Sequence, residues 1–504
     1  MLGSFPFRRN AHDEGEHPPF HPQRLLCDWD NGDGMRISDA ATGVAVFGAT
    51  GSGKTSGIGH QLARAYLEAG FGGLVLCAKA EECRQWQEWA AETGRTDDLV
   101  IVEPNGTARF NWMDYEGNRA GAGAGLAVNI VAMLDELGGV AAGDAARAEG
   151  GDGAAKFFRD SLHHLNANAV DLALLAGLRV SLPLLRSIIL SAPMTLAEAA
   201  SDAWRDGRSV CATLLREAGK AVEDAEDIEA KADFTEVENY WLHEFPAIGD
   251  RTRGIITLCF SMMARPFLTR PLRRLFSADT NITPDATFSG KIIIVDLPVQ
   301  VFRIAGRMAN LAWKYCFQIA VMRRQSDEAN QSRLRPVFLW ADEAQNFVTE
   351  FDAEYQAVAR SAAGCTVYLT QNRESYLRVL GNEAAVDSLL GNLQLKAFCQ
   401  NSSPATCAWA ARLLGERWQQ VLSTNVGNSG RNLDERSTSS HVNVSQQRRY
   451  FVEPAEFTVL RRGGVPNDYQ VEVVLYLGGH VFSDGLPFRR VGIDQRTGRA
   501  RMDG

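Results

Sequence analysis

The sequence lacks an excess of basic residues. Its 504 residues carry 52 Lys and Arg against 61 Asp and Glu, which gives a formal net charge of -9 and a pI of about 5.6. The chain as a whole therefore lacks the basic charge that marks many nucleic-acid-binding domains. A local basic channel is not excluded, because charges in physiological salt act over only about 8 Å.

Long apolar runs are also missing. No stretch reaches the about 18 consecutive apolar residues that cross a bilayer, and the best one, 170–190, is interrupted by Asp171, Arg179, Pro183 and Arg186. The first ten residues lack the apolar core of a signal peptide. We therefore expect a cytoplasmic protein that lies at the inner face of the cell membrane only through partners.

Closely spaced cysteines are the third absence. The nine cysteines are scattered, and no two are separated by the two-residue gap of a zinc knuckle or redox pair. This spacing excludes those two kinds of site and favours a reduced compartment.

A glycine-rich segment at residues 48–55 carries the strongest motif. It fits the phosphate-loop pattern in which glycines let backbone amides converge on phosphates, the lysine reaches the outer oxygens and the final hydroxyl binds magnesium. An apolar strand pattern precedes it at 44–47 and helical periodicity follows at 55–69, which is the required context. We predict that ATP and Mg²⁺ bind here, with cofactor-binding residues Gly48, Ala49, Thr50, Gly51, Ser52, Gly53, Lys54 and Thr55.

A second motif is the apolar run 337–341, which ends in Asp342 and Glu343. Paired with the phosphate loop, this run predicts that Asp342 positions magnesium together with Thr55 and that Glu343 is the general base for the attacking water. The alternative is an ordinary strand end. The second carboxylate is typical of hydrolytic RecA-like motors.

Two further residues complete the predicted catalytic set of Lys54, Glu343, Gln371 and Arg360. Gln371 follows a strand pattern at 366–370 and could sense the terminal phosphate by hydrogen bonding, or simply cap the strand. Arg360 could reach the nucleotide of a neighbouring subunit, or form a surface salt bridge.

The pattern along the chain predicts an α/β fold. Strand and helix signals alternate at 42–104 and again at 291–399, as in a largely parallel sheet, whereas the stretch between them is helical. The segment 217–244 is acidic and predicts a solvated helix face, 423–447 predicts a mobile loop, and 469–477 predicts a late strand. The predicted divisions are a flexible N-terminal arm (1–36), a nucleotide-binding domain in two parts (37–118 and 281–490), an all-helical inserted domain (119–280) and a C-terminal tail (491–504).

Short motifs that follow one another in a fixed order occur over most of the chain. Together they resemble the TraG/TraD-like conjugative coupling ATPases of type IV secretion, but without the N-terminal transmembrane helices of that family. The motifs are Glu103-Pro104, Phe110-Asn111-Trp112, Phe157-Phe158-Arg159-Asp160, 266–276, Val295-Asp296-Leu297-Pro298, Ala341-Asp342-Glu343-Ala344, Tyr368-Leu369-Thr370-Gln371, Gly391-Asn392 with Lys396, and Glu456 with Leu460.

The resemblance implies a RecA-like P-loop NTPase domain interrupted by an all-helical insertion. It also implies a homo-hexamer that hydrolyses ATP, moves DNA and delivers a relaxase-DNA substrate to a secretion channel. Relaxosome proteins and channel components would be its partners. Two alternatives stay open: a soluble platform that recruits substrates for a secretion system, and a channel-independent DNA pump in repair, segregation or defence.

Two arginine clusters are candidate DNA contacts, with ordinary surface charge as the alternative. They are Arg265, Arg270, Arg273 and Arg274, and then Arg303, Arg307, Arg323 and Arg324.

Overall fold

The computed structural model describes residues 18–30, 32–121, 123–149, 152–225, 227–324, 334–429 and 437–500, with backbone alone at 140–149, 152–156, 158, 423–429 and 437–443. The chain divides into two compact units. The first comprises Met1–Ala69, Glu328–Leu334 and Asp342–Gly504, and the second comprises Gly70–Asp327 and Arg335–Ala341. The predicted boundaries at 118 and 280 fall inside the second unit and stay predictions.

Short apolar runs form most of the strands. The strands are β1 (Leu25–Asp28), β2 (Gly34–Arg36), β3 (Val44–Phe47), β4 (Gly72–Leu76), β5 (Leu99–Val102), β6 (Ile292–Val295), β7 (Val337–Ala341), β8 (Gly364–Thr370), β9 (Leu395–Phe398), β10 (Glu416–Ser429), β11 (Ser437–Tyr450), β12 (Gln470–Leu477), β13 (Phe488–Asp494) and β14 (Arg499–Ala500).

Helices occupy most of the remaining described residues. They are α1 (Ile37–Ala40), α2 (His60–Glu68), α3 (Glu82–Glu92), α4 (Trp112–Asn118), α5 (Ala127–Glu149), α6 (Asp152–Leu175), α7 (Leu182–Leu190), α8 (Leu196–Ala199), α9 (Asp202–Arg205), α10 (Val210–Ala225), α11 (Ile228–Asn239), α12 (Phe245–Ala247), α13 (Asp250–Leu268), α14 (Leu272–Phe276), α15 (Val299–Met322), α16 (Phe351–Ala359), α17 (Arg373–Leu380), α18 (Glu383–Asn392) and α19 (Pro404–Leu414).

The sheet of the first unit has the order β14-β13-β12-β9-β3-β8. β3 is parallel to both β8 and β9, with Phe47 opposite Thr370 and Phe398. The carboxyl ends of these three strands therefore meet at one edge, which is where open α/β sheets bind ligands. Beneath that edge, Phe47 stacks on Phe398 at 5.6 Å and Trp409 contacts both rings.

The strands of the second unit have the order β7-β4-β6-β5 and are all parallel. β4, β6 and β7 are buried along their whole length, as expected for a parallel sheet covered on both faces. Trp86 of α3 packs against Phe338 and Trp340 of β7 at 5.3 and 5.2 Å, and Trp89 joins the cluster. This aromatic group anchors α3 on the sheet.

Between α4 and Pro284, every regular element in the described residues is a helix. The prediction of an all-helical insertion is therefore confirmed. Among the described residues, no helix is both long enough and apolar enough to cross a membrane. The nine cysteines are all described, and none forms a disulfide.

Three predictions about chain segments were wrong in part. Residues 25–36 belong to the β1–β2 hairpin rather than to a flexible arm, because buried Asp33 pairs with Arg489 at 2.7 Å. In the predicted loop, 423–429 pairs with 437–447 as antiparallel strands, a ribbon whose polar composition resembles that of a loop. The predicted tail enters the sheet through β13 and β14. Residues 1–17, 430–436 and 501–504 lie outside the described residues.

Candidate functional site

The segment 48–55 forms a tight loop between β3 and the helix that follows. Gly51 and Gly53 have φ angles of 72° and 83°, in the left-handed region that favours glycine. Gly48 is required by packing, because a Cβ there would lie 2.3 Å from the Ser52 hydroxyl oxygen. The loop is anchored to the neighbouring strands, since Gly48 N–H donates to the Thr370 carbonyl and Ala49 N–H to the Gln400 carbonyl.

Lys54 and Thr55 each meet one of the two predicted carboxylates. Lys54 Nζ lies 3.2 Å from Glu343 Oε1, and the Thr55 hydroxyl donates to Asp342 Oδ2 at 2.7 Å. Lys54, Asp342 and Glu343 are only 6%, 3% and 8% exposed. Buried charges are costly unless paired, so this arrangement is built for charge chemistry rather than for simple packing.

Glu343 is held from several sides. Gln345 Nε2 donates to its Oε2 at 2.9 Å and Gln371 Nε2 lies 3.4 Å from the same oxygen, while Lys54 binds the other oxygen. Thr370 in turn donates to the Gln345 amide oxygen at 2.8 Å. The Glu343 backbone is left-handed, with φ 51° and ψ 48°, a conformation that costs a non-glycine residue about 1 kcal/mol or more.

The donor set fits magnesium and a triphosphate. Mg²⁺ binds oxygen ligands at 2.0–2.1 Å in an octahedron, so neighbouring ligands lie about 2.9 Å apart. The 2.7 Å between the Thr55 hydroxyl and Asp342 is close to that spacing. Lys54 can move from Glu343 to a phosphate oxygen, which would leave the Glu343 carboxylate able to accept a proton from water.

Two ionisable neighbours respond to this environment. Burial raises the pKa of the Cys399 thiol to about 12, although the charge of Lys54 acts in the opposite direction. Burial also raises the pKa of Tyr376, and the charges of Asp352, Glu343 and Asp342 add to that increase. Both groups are neutral at physiological pH, so neither supplies a competing charge at the site.

Arg360 lies apart from this group. It follows α16 in a single helical turn and is exposed, and its guanidinium group makes no hydrogen bond or ion pair with any described residue. Within the described part of the chain, its side chain forms no salt bridge. A role toward a neighbouring subunit stays a prediction.

The two arginine clusters differ in the second unit. Arg265, Arg270, Arg273 and Arg274 are exposed on and beside α13 and α14. In the other cluster, Arg323 binds Glu116 at 2.8 Å, and Arg324 donates to the Arg335 carbonyl and lies over the Phe288 ring. Arg323 and Arg324 have structural partners, so these two are the weaker candidates for phosphate contacts.

Sequence reasoning missed Gln345, which donates to Glu343 Oε2 at 2.9 Å. Its signal was available, because it is a polar residue two positions after the acidic pair and immediately beside the predicted site.

The chain is similar to known conjugative coupling proteins. Residues 336–462 match the family model described as the TraM recognition site of TraD and TraG. The bacterial conjugative coupling protein TrwBdeltaN70, in its unbound form, is similar with a TM-score of 0.59 at 15% identity, covering 95% of this chain and 91% of that one. No curated protein sequence matches the chain.

Two further solved structures are of the plasmid coupling protein TrwB with nucleotide. The complex with the ATP analogue ADPNP has a TM-score of 0.57 at 15% identity, covering 96% of this chain and 91% of that one. The complex with ADP and Mg²⁺ has a TM-score of 0.56 at 15% identity, covering 94% and 88%. The predicted resemblance and the predicted RecA-like P-loop fold are therefore confirmed.

Proposed function

We propose that this TraG/TraD-like chain is an ATP-hydrolysing DNA translocase. It would act as the coupling protein that delivers a relaxase-DNA substrate to a type IV secretion or conjugation channel. The observation that carries the proposal is the buried group in which Lys54 meets Glu343 and Thr55 meets Asp342. A nucleotide-binding fold with a purely structural role has no need for a second buried carboxylate beside the metal position.

Each residue of that group has a distinct task. The loop amides and Lys54 would hold the phosphates, and Thr55 and Asp342 would hold Mg²⁺, which would supply charge neutralisation for phosphoryl transfer. Glu343 removes a proton from the attacking water, and Gln371 senses the terminal phosphate beside it. Gln345 orients Glu343 through its 2.9 Å hydrogen bond.

Arg360 supports assembly into a ring. Exposed and without a partner in the described residues, it is suited to enter the nucleotide site of the next copy and stabilise transition-state charge. A head-to-tail contact of this kind closes into a cyclic oligomer, and we propose a homo-hexamer. The exposed arginines of α13 and α14 would contact DNA phosphates in such a ring.

The partners follow from the matched family segment. Its description names TraM, so we propose that residues 336–462 include a surface for a relaxosome protein. Channel components would supply the contact with the membrane.

The test is ATP hydrolysis by the purified chain with and without single-stranded and duplex DNA, at low and moderate salt. We expect DNA to stimulate hydrolysis and the stimulation to fall with salt, because each neutralised phosphate adds about one unit of log-log slope. The Lys54→Ala variant should lose hydrolysis with or without DNA. Hydrolysis that ignores DNA in the assembled protein would contradict translocation.

One observation favours the second candidate, a platform that recruits protein substrates. The acidic segment on α10 and α11 is exposed to solvent and could hold a basic protein. If Glu343→Gln left substrate transfer unchanged, hydrolysis would be dispensable and the platform would replace the motor. A channel-independent DNA pump would share the stimulated hydrolysis but transfer no relaxase.

A further inference from the structure

The C-terminal hairpin reaches the helix that follows the phosphate loop. Gln495 lies in the turn after β13, and its Nε2 donates to the Ser56 hydroxyl oxygen at 2.6 Å. The Thr497 carbonyl accepts from Arg64 Nη1 at 2.9 Å on the same helix. Ser56 directly follows Thr55, so a residue 439 positions away in the sequence contacts the nucleotide-binding turn.

The orientation of the Gln495 amide is fixed by its other contact. Gly464 N–H donates to Gln495 Oε1 at 2.7 Å, so the oxygen is occupied and the nitrogen must face Ser56. Since an amide NH₂ only donates, the Ser56 oxygen accepts. The Ser56 hydroxyl proton therefore points away from Gln495, and no acceptor for it lies within hydrogen-bond distance in the described residues.

Two glycines make this approach possible. A Cβ at Gly463 would lie 2.1 Å from Gln495 Oε1, and one at Gly498 would lie 3.0 Å from the His60 ring. Both glycines also have positive φ angles, of 79° and 62°. Glycine in two separate turns is thus needed for the chain to pass close to Gln495 and to the helix. A chance surface contact would not need these two glycines.

We propose that the Ser56 hydroxyl donates a hydrogen bond to a phosphate of the bound nucleotide and that Gln495 is the positioning residue that directs it. Lys54 and Thr55 serve the outer phosphates and the metal. Ser56 directly follows Thr55 and is only half-buried, so its hydroxyl stays accessible to a ligand. A hydroxyl whose lone pair is already engaged by Gln495 presents its proton to an anion without reorientation. This inference rests on the proposed nucleotide site.

The experiment measures the Kd of a non-hydrolysable ATP analogue with Mg²⁺ for the full chain. We expect Ser56→Ala to raise the Kd about tenfold, because a hydrogen bond to a charged group is lost. Gln495→Met should raise it several-fold, and the double variant should bind no worse than Ser56→Ala alone. Ser56→Thr keeps the hydroxyl and should restore affinity.

A near-isosteric variant protects the test against misfolding. Gln495→Glu keeps an oxygen that accepts from Gly464 N–H but replaces the amide nitrogen with a second carboxylate oxygen. That oxygen would accept the hydrogen bond of the Ser56 hydroxyl, and its charge would repel phosphate. We expect a larger rise in Kd than for Gln495→Met, with an unchanged melting temperature. The matched control is Gln394→Met, the same change at the residue immediately before β9, which should leave the Kd unchanged.

The outcomes separate this inference from the proposed function. If the wild-type chain binds no Mg²⁺ and ATP analogue, the proposed function falls and the inference falls with it. If the wild type binds but Gln495→Glu binds equally well, only the inference falls. If Gln495→Met reduces the affinity by the same factor in the wild-type and Ser56→Ala backgrounds, Gln495 does not act through Ser56. That result also overturns the inference.

Discussion

The phosphate-loop end of the first unit and the α10–α11 surface of the second unit use charge in opposite ways. In the first, Lys54, Asp342 and Glu343 are each less than one-tenth exposed and are held by hydrogen bonds. In the second, the acidic side chains are exposed to water. They are Glu217, Glu223, Asp224, Asp227, Glu229, Asp233, Glu236, Glu238 and Glu244.

The difference teaches where function should be sought. A solvated carboxylate costs the fold almost nothing and can be kept for solubility alone. A buried carboxylate must be desolvated, and replacing a buried ion pair by apolar residues is often neutral or stabilising. The burial of the group at the phosphate loop therefore supports the proposed catalytic role, whereas solvation alone is enough to explain the acidic surface.

The largest expected effect comes from Glu343→Gln, which removes the proposed general base but keeps the shape of the side chain. We expect the rate of ATP hydrolysis to fall about 100- to 10,000-fold, equivalent to about 3 to 5 kcal/mol in the barrier. Affinity for the ATP analogue should be retained, because Gln still fits beside Lys54. Steady-state hydrolysis and analogue binding measure the two effects separately.

The matched control is Glu354→Gln, the same change at an exposed position on α16, which should leave the rate of hydrolysis unaltered. A Glu343→Gln variant that hydrolyses ATP within a few-fold of wild type would remove Glu343 as the base. It would also weaken the argument from burial to function.

Lys396 is a smaller test of the same comparison, because it is a buried charge away from the phosphate loop. It is 4% exposed in β9, and burial lowers its pKa from 10.5 to about 8. In the described residues its ammonium group has no hydrogen bond or ion pair, and Nζ lies 5.9 Å from the centre of the Tyr476 ring. Lys396→Met should therefore stabilise the fold by up to about 3 kcal/mol at pH 7.

The lowered pKa of Lys396 sets how the free energy of unfolding changes with pH. Between pH 8 and 10.5 the unfolded chain binds more protons at Lys396 than the folded chain, so the free energy of unfolding rises with pH across that window. The advantage of Lys396→Met should thus be full at pH 7 and nearly gone above pH 10. Urea unfolding at both pH values measures it, with exposed Lys231→Met as the control. A destabilised Lys396→Met would mean that the ammonium group has a role the burial argument overlooks.

The sequence predicted the phosphate loop and the acidic pair because both are local patterns. The glycine spacing of residues 48–55 and the apolar run before Asp342 each specify their own backbone. Their meeting follows from the fold class, since parallel strands end at one edge. Lys54 and Glu343 were thus predicted as members of one nucleotide site, but their direct contact across 289 positions was not predicted.

Other features could not be predicted because they depend on distant partners. The β1–β2 hairpin is held by Asp33 and Arg489, and no local pattern links residues 456 positions apart. The β10–β11 ribbon has a loop-like composition because its described side chains are mostly exposed, so no apolar alternation marks it. Gln495 reaches Ser56 only through the tertiary fold.

The smallest expected effect tests whether the acidic surface is merely solvated. Burial raises the pKa of Asp171 on α6 to about 6, and the charge of Asp233 on α11 adds to the increase. Asp233→Asn should therefore lower the pKa of Asp171 and also relieve repulsion from Glu229, four residues earlier on the same helix. We expect a gain of about 0.2 to 0.5 kcal/mol in the free energy of unfolding at pH 7.

The raised pKa of Asp171 sets how the stability gain from Asp233→Asn changes with pH. The pKa of Asp171 is raised in the folded state, so the folded chain binds more protons between about pH 4 and 6, and stability falls as pH rises through that range. The gain from Asp233→Asn should thus be present at pH 7 and shrink toward pH 4. Asp224→Asn, on the same surface at the end of α10, is the control and should show no such pH dependence. A loss of stability on Asp233→Asn at pH 7 would mean that the Asp233 carboxylate makes a stabilising contact. The acidic surface would then not be merely solvated, and its contrast with the phosphate loop would weaken.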